Sequence, residues 1–130
     1  MSTALVDTDV MIDILRSYPP ALEWMRACSG EVLTLPGFVL LELIEGCQDK
    51  SGQDRVLKLA ERCEIAWLSE EASDKAATLF GTYRLSNGLG MIDALIGQTA
   101  LELQVTLLTF NQKHYACVPG LETTVPYERV

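Results

Sequence analysis

Short, largely apolar runs alternate with longer stretches of helical periodicity along the whole chain, and this restricts the fold more than any other feature. The runs are Ala4-Leu5-Val6, Val32 to Leu35, Ile65 to Leu68 and Val105 to Leu108. Runs this short and continuous suit strands buried on both faces, as in a parallel sheet. The first ends at Asp7-Thr8-Asp9, where Thr8 or Asp9 caps a helix. Pro19-Pro20 ends that helix and opens another, with Leu22, Met25 and Cys28 on one side, and Ser29-Gly30 breaks it. Pro36-Gly37 starts a helix with the stripe Val39, Leu40, Leu43, Ile44 and Cys47. Gln48 to Gln53 reads as a polar loop, and Val56, Leu57, Ala60 and Cys63 mark the next helix. Ser69-Glu70-Glu71 combines a capping hydroxyl with acids in a first turn, and Ala72, Ala76, Leu79, Phe80 and Tyr83 continue that helix. Asn87 to Gly90 is a break. From Met91 a helix runs to about Glu102, with Ile92, Leu95, Ile96, Thr99 and Leu103 inward, and Thr123-Thr124-Val125 is a short last strand. Strands alternating with helices predict an α/β fold, a central mainly parallel sheet between helical layers. At 130 residues, this is one domain spanning 1–130.

Composition narrows the function. A hydrophobic share of 48% supplies a core, and 22% charged residues place the chain with globular proteins. The net charge of -8 argues against a plain polyanion-binding surface. It leaves nucleic acid open if metal ions bring the positive charge. Cys28, Cys47, Cys63 and Cys117 contain no CxxC pair, and the lone histidine is His114, so reduced thiols are expected and a zinc site is not. The apolar stretch from Ala4 contains acids and lacks a basic leader, and there is no run of 18 apolar residues. A cytoplasmic protein without a membrane span is the expectation.

In an open parallel sheet, ligands bind beyond the carboxyl ends of the strands. Asp7 and Asp9 follow the first strand, and Thr109, Asn111 and His114 follow Val105 to Leu108. Two further acids interrupt apolar helical text: Glu42 in FVLLELIEG and Asp93 in GLGMIDALIG. Gly46 and Gly97 lie one turn after these acids, where a missing side chain leaves room for backbone or ligand. Asp9 also reads as a helix cap, and Asp13, Glu45 and Glu102 as solvated helix residues. Asp7, at the end of a buried strand, needs a partner, because an unpaired buried carboxylate is costly. Several acids converging without basic partners meet the requirement of a hard divalent cation, which takes oxygen ligands.

These residues carry a family resemblance. LVDTDVMIDIL, LLELIEG, GMIDALIGQTAL and TLLTFNQKHYACVPGLE, in this order and spacing, resemble the PIN-domain ribonucleases, in particular the VapC-type toxins of toxin–antitoxin pairs. The resemblance covers nearly the whole chain. It implies a three-layer α/β/α sandwich and a Mg²⁺- or Mn²⁺-dependent endoribonuclease that cleaves RNA phosphodiesters with metal-activated water. Asp7, Glu42 and Asp93 match the family's characteristic acids and would hold the metal, and Asp9 matches a supporting position. The family often has a fourth acid in a stretch like TxNxxDF. Here that stretch runs from Thr109 to Tyr115, and His114 takes the acid's place. Thr109 resembles the small hydroxyl residue supporting the carboxylates; Asn111 or a water would fill the fourth acid's place, and His114 would contact phosphate or be a structural substitution. Arg16, Arg84 and Lys113 are candidate phosphate contacts. The implied partners are a cognate antitoxin covering the site and structured RNA of the tRNA or rRNA class. A homodimer is also implied, with Leu22, Trp24 and Met25 as exposed apolar residues that could form its interface.

Two rival readings make different demands. Asp7-Thr8-Asp9-Val10 also fits the start of haloacid-dehalogenase-type phosphatases, with Asp7 as nucleophile and Asp9 as general acid/base. That chemistry needs a later lysine and an acidic pair after a strand; after Lys75 the chain offers only Lys113, and no such pair. The other rival keeps the PIN fold as a non-catalytic interaction module, for which the missing fourth acid speaks.

Overall fold

The computed structural model describes residues 4–28 and 31–130. Five strands form one sheet: β1 (Ala4–Val6), β2 (Thr34–Pro36), β3 (Glu64–Ala66), β4 (Thr106–Leu108) and β5 (Thr123–Thr124). Every pairing is parallel, in the order β3-β2-β1-β4-β5. Among the described residues the helices are α1 (Thr8–Leu15), α2 (Pro19–Ala27), α3 (Gly37–Glu45), α4 (Lys50–Ala60), α5 (Glu70–Asn87), α6 (Met91–Leu103) and α7 (Gln112–Tyr115).

This order has one reversal. From β1 the chain steps outward to β2 and β3, then returns across the sheet to β4 and continues to β5. Right-handed crossovers put helices of the outward half on one face and those of the return half on the other. The expected α/β sandwich is the result. The reversal falls between β1 and β4, which pair from Ala4 with Thr106 to Val6 with Leu108. In such sheets the crevice beyond the strand ends at the reversal is where ligands bind. Leu5, Val6, Val10, Met11, Leu35, Val39, Ile96 and Leu107 form the buried centre of the core.

Several boundaries differ from the sequence reading, each for a local reason. Asp7, rather than Thr8 or Asp9, is the N-cap of α1, and its side chain accepts from Thr8 N at 2.8 Å. β2 starts at Thr34 rather than Val32, and β3 stops at Ala66. Trp67 leaves the sheet to pack edge-on against Phe38, ring centroids 6.0 Å apart. The stretch read as a loop from Gln48 already contains the first turn of α4, because Asp49 caps it by accepting from Gly52 N at 2.7 Å. Leu57 and Leu103, placed on helix stripes by periodicity, are exposed. Gly88 ends α5 in the left-handed conformation, φ 70°, which favours glycine. The Ser29-Gly30 break lies outside the described residues.

Leu22, Trp24 and Met25 are not the exposed patch expected of a dimer interface. All three are partly buried against the core. Trp24 packs against Tyr127, centroids 6.0 Å apart, so this chain's own later residues cover it. The four cysteines are free. Among the described residues no helix is long and apolar enough to cross a membrane.

Candidate active site

The strand ends at the sheet's reversal place acids first. Asp7 N donates to Leu108 O at 3.0 Å, extending the β1–β4 ladder one residue past β1 and fixing the Asp7 backbone beside Thr109. Asp7 is buried, 4% exposed, and Thr109 is fully buried. The Thr109 hydroxyl stands 2.8 Å from Asp7 Oδ2 and 3.4 Å from Asp9 Oδ2, and accepts from Asn111 N at 3.0 Å. Asp9 is held by Val10 N and Phe110 N, each at 2.8 Å, and by Asn111 Nδ2 at 3.2 Å. Asp9 therefore lies in the first turn of α1 rather than at its cap, its Oδ1 accepting from Val10 N and its Oδ2 facing Thr109, Phe110 and Asn111.

Asp93 arrives from the first turn of α6. Its Oδ1 lies 3.3 Å from the Tyr115 hydroxyl, which also lies 3.0 Å from Asp7 Oδ2. His114 Nδ1 is 3.8 Å from Asp93 Oδ2, with the imidazole largely exposed. Glu42, on α3, stands one link further out. Its Oε1 accepts from the Thr8 hydroxyl at 2.7 Å, and Thr8 adjoins Asp7. α3 and α6 pack on one another, which brings the two helical acids to the same sheet edge. So the fold gathers Asp7, Asp9 and Asp93 through two shared hydroxyls and sets Glu42 beside them.

Electrostatics report the crowding. Burial, then the neighbouring Asp9 charge, pushes the Asp7 carboxyl up to about 6, against the hydrogen bonds from Thr109, Thr8 and Tyr115. Burial also raises Asp9, opposed by the Phe110 and Val10 amides and by Arg129. Asp93 is raised by burial and then by Asp9, with His114 and Tyr115 working the other way. Among the described residues no lysine or arginine ion-pairs with Asp7, Glu42 or Asp93.

The donor chemistry fits a hard divalent cation: oxygens alone, carrying like charges that a cation would neutralise. The cluster is not a ready-made cage, since among the described residues no three His, Cys, Asp or Glu side chains are grouped closely enough to hold an ion.

Two of the cavities beside α1 border the acids. One, about 260 Å³, is lined by Ile12, Arg16, Glu42, Gly46 and Arg55 among others. The other, about 410 Å³, is lined by Asp9, Ile12, Asp13, Arg16, Tyr18 and Arg129 with Val130. Arg16 faces both. Lys113 is exposed on α7 beside His114, and Arg84 lies exposed in the last turn of α5, the helix packed along α6.

Some of this was not visible in the sequence. Asp13, read as solvated, accepts from the Tyr127 hydroxyl at 2.7 Å and from Arg129 Nε at 3.1 Å. Arg129 also stacks over Phe110, 3.9 Å from the ring centroid, so the chain's last residues border the site. Nothing in the sequence marks Tyr115, Arg55 or Arg129 as a site residue, and Thr8 reads there only as a helix cap. The nearest signal for Tyr115 was its place one residue after His114, in the stretch already compared with TxNxxDF.

The PIN domain profile matches residues 4–117 of this chain. The chain belongs to the PIN domain family. Within the family it is similar to Ribonuclease VapC19 of Mycobacterium tuberculosis, 28% identical over 91% of this chain and 96% of that protein. Among solved structures it is similar to a toxin–antitoxin complex from Klebsiella pneumoniae, TM-score 0.77 and 25% identity, covering 97% of this chain and 99% of that one. VapBC2 of Rickettsia felis, solved bound to a DNA fragment from its promoter, superimposes with TM-score 0.75 at 22% identity, over 93% of this chain and 96% of that one. The second likeness bears on the fold alone. The PIN match replaces the phosphatase reading of Asp7 and Asp9.

Proposed function

We propose that this PIN domain is a metal-dependent endoribonuclease and the toxin of a toxin–antitoxin pair. One observation carries the reading: Asp7, Asp9 and Asp93 converge at the reversal of the sheet, bridged by hydroxyls, with no lysine or arginine ion-paired to Asp7 or Asp93 among the described residues. The likeness to a protein named a ribonuclease and to a toxin–antitoxin complex supports the substrate and the partner.

Asp7, Glu42 and Asp93 are the residues that would hold Mg²⁺ or Mn²⁺. When bound, such an ion supplies positive charge that favours ionisation of an attacking water and stabilises the leaving oxygen of a phosphodiester. The chain's own residues do the rest. Thr109 and the Phe110 amide keep Asp7 and Asp9 in one orientation, so little reorganisation remains for the reaction. Asn111 fixes the outer oxygen of Asp9. Arg16, between the two cavities, is the best placed of the phosphate-contact candidates, with Lys113 next along α7 beside His114 and Arg84 further out. The apolar cavity beside Glu42 is where an antitoxin segment would close the site off.

The test is incubation of purified, antitoxin-free protein with total RNA, with and without Mg²⁺ or Mn²⁺. Cleavage that EDTA abolishes and that falls at least about 100-fold in Asp93→Asn is expected. No metal-dependent cleavage, together with an Asp7→Asn variant that behaves like the parent in a growth assay, would overturn the reading in favour of a non-catalytic module.

A further inference from the structure

Tyr115 bridges two of the converging acids, but no role has been assigned to it. It ends α7, its side chain is buried, and its ring leans on Gly97 of α6, where an added Cβ would stand 3.7 Å from Tyr115 Cδ1. Its hydroxyl lies between two carboxylates, 3.0 Å from Asp7 Oδ2 and 3.3 Å from Asp93 Oδ1. A phenol has one proton to donate, so a single donor serves both acids. One acid follows a strand and the other opens a helix, and among the described residues this hydroxyl alone hydrogen-bonds to both. The Thr109 hydroxyl couples Asp7 to Asp9 in the same way.

The neighbouring residue explains why such a link matters here. In the stretch resembling TxNxxDF, His114 stands where the pattern has Asp, and Tyr115 where it has Phe. The chain thus lacks one carboxylate and gains one hydroxyl at adjacent positions. The exposed imidazole approaches Asp93 no closer than 3.8 Å, whereas the Tyr115 hydroxyl reaches into the cluster.

We propose that Tyr115 is a positioning residue for the cation site, its hydroxyl holding the Asp7 and Asp93 carboxylates at the separation from which both can bind one divalent ion. The proposal rests on the metal-dependent reading above. Hydrogen bonds that orient ligating carboxylates from outside the coordination sphere typically contribute a factor of about 10–100 in metal affinity. Phenylalanine at this position keeps the ring packing against Gly97 and removes only the bridge.

The experiment is calorimetric titration of Mn²⁺ into the metal-stripped full chain and its Tyr115→Phe variant, with thermal melts of both in EDTA. Mn²⁺ binding about 10–100-fold weaker in the variant is expected. Equal or tighter binding overturns the proposal, and a lowered melting temperature with unchanged affinity shows that the tyrosine is only structural. A parent chain that takes up no Mn²⁺ overturns the metal-dependent reading and the proposal with it. A parent that binds Mn²⁺ while the variant matches it overturns the proposal alone. Tyr115→Met, which fills similar space without a hydroxyl, repeats the comparison should the Phe variant not fold.

Discussion

At the scale of single residues, the protein tolerates an unfavourable charge at the reversal of its sheet. Asp7 is buried against Asp9, and its carboxyl is pushed up to about 6. A group that binds its proton more tightly in the folded state than in the unfolded state adds stability below its unfolded value of 3.8. That stability is lost as pH rises through about 6. A shift of this size corresponds to about 2–3 kcal/mol. Asp7→Asn, measured by urea unfolding in EDTA, should therefore gain on the parent by about 2–3 kcal/mol between pH 4 and pH 8. The absolute gain at pH 8 is smaller, because an amide cannot accept at all the positions where the carboxylate now accepts from Thr8, Thr109 and Tyr115. A difference independent of pH would contradict the burial of a charged Asp7. At this scale Asp7, Asp9, Glu42 and Asp93 were legible because each acid interrupts apolar text or follows an apolar run. The bridging hydroxyls were not, since a threonine or tyrosine carries no such mark until the chain folds. Asp13 misled for the same reason: its partners, Tyr127 and Arg129, come from the far end of the sequence.

At the scale of elements, local rules explain most of the boundaries and also their errors. Ser69 announced α5 correctly: its hydroxyl accepts from Ala72 N at 3.1 Å. It also donates to Glu102 on α6, as does the Ser69 amide, which ties the start of α5 to the end of its neighbour. Ser69→Ala should destabilise the chain by about 0.5–2 kcal/mol in urea unfolding, the range for a lost helix cap, without altering the carboxylate cluster. A change below a few tenths of a kcal/mol would show that α5 is held by packing on α6 alone. The start of α4 was hidden because Asp49 caps a first turn made of Lys50, Ser51 and Gly52, residues that read as loop by composition. The two-residue shift of β2 and the early end of β3 follow from pairing and from the Phe38–Trp67 contact. Single-strand patterns do not carry either.

At the scale of the whole molecule, the alternation of apolar runs and helical stretches made the parallel α/β architecture legible, because buried parallel strands are written as uninterrupted apolar text. The strand order is a different kind of information. It determines that the ends of β1 and β4 lie side by side, and so that Asp7 meets Thr109 and, through Tyr115, Asp93. Neither the spacing of the acids nor their setting shows that Glu42 stands one hydrogen bond outside this cluster, linked through Thr8. The metal-dependent reading requires Asp7 and Asp93 to hold one cation at the reversal of the sheet. The most direct measurement is an anomalous difference map from a crystal of the full chain soaked in Mn²⁺. One dominant peak within about 2.0–2.3 Å of carboxylate oxygens of both Asp7 and Asp93 is expected. A dominant peak elsewhere, or none at saturating Mn²⁺, would contradict that reading.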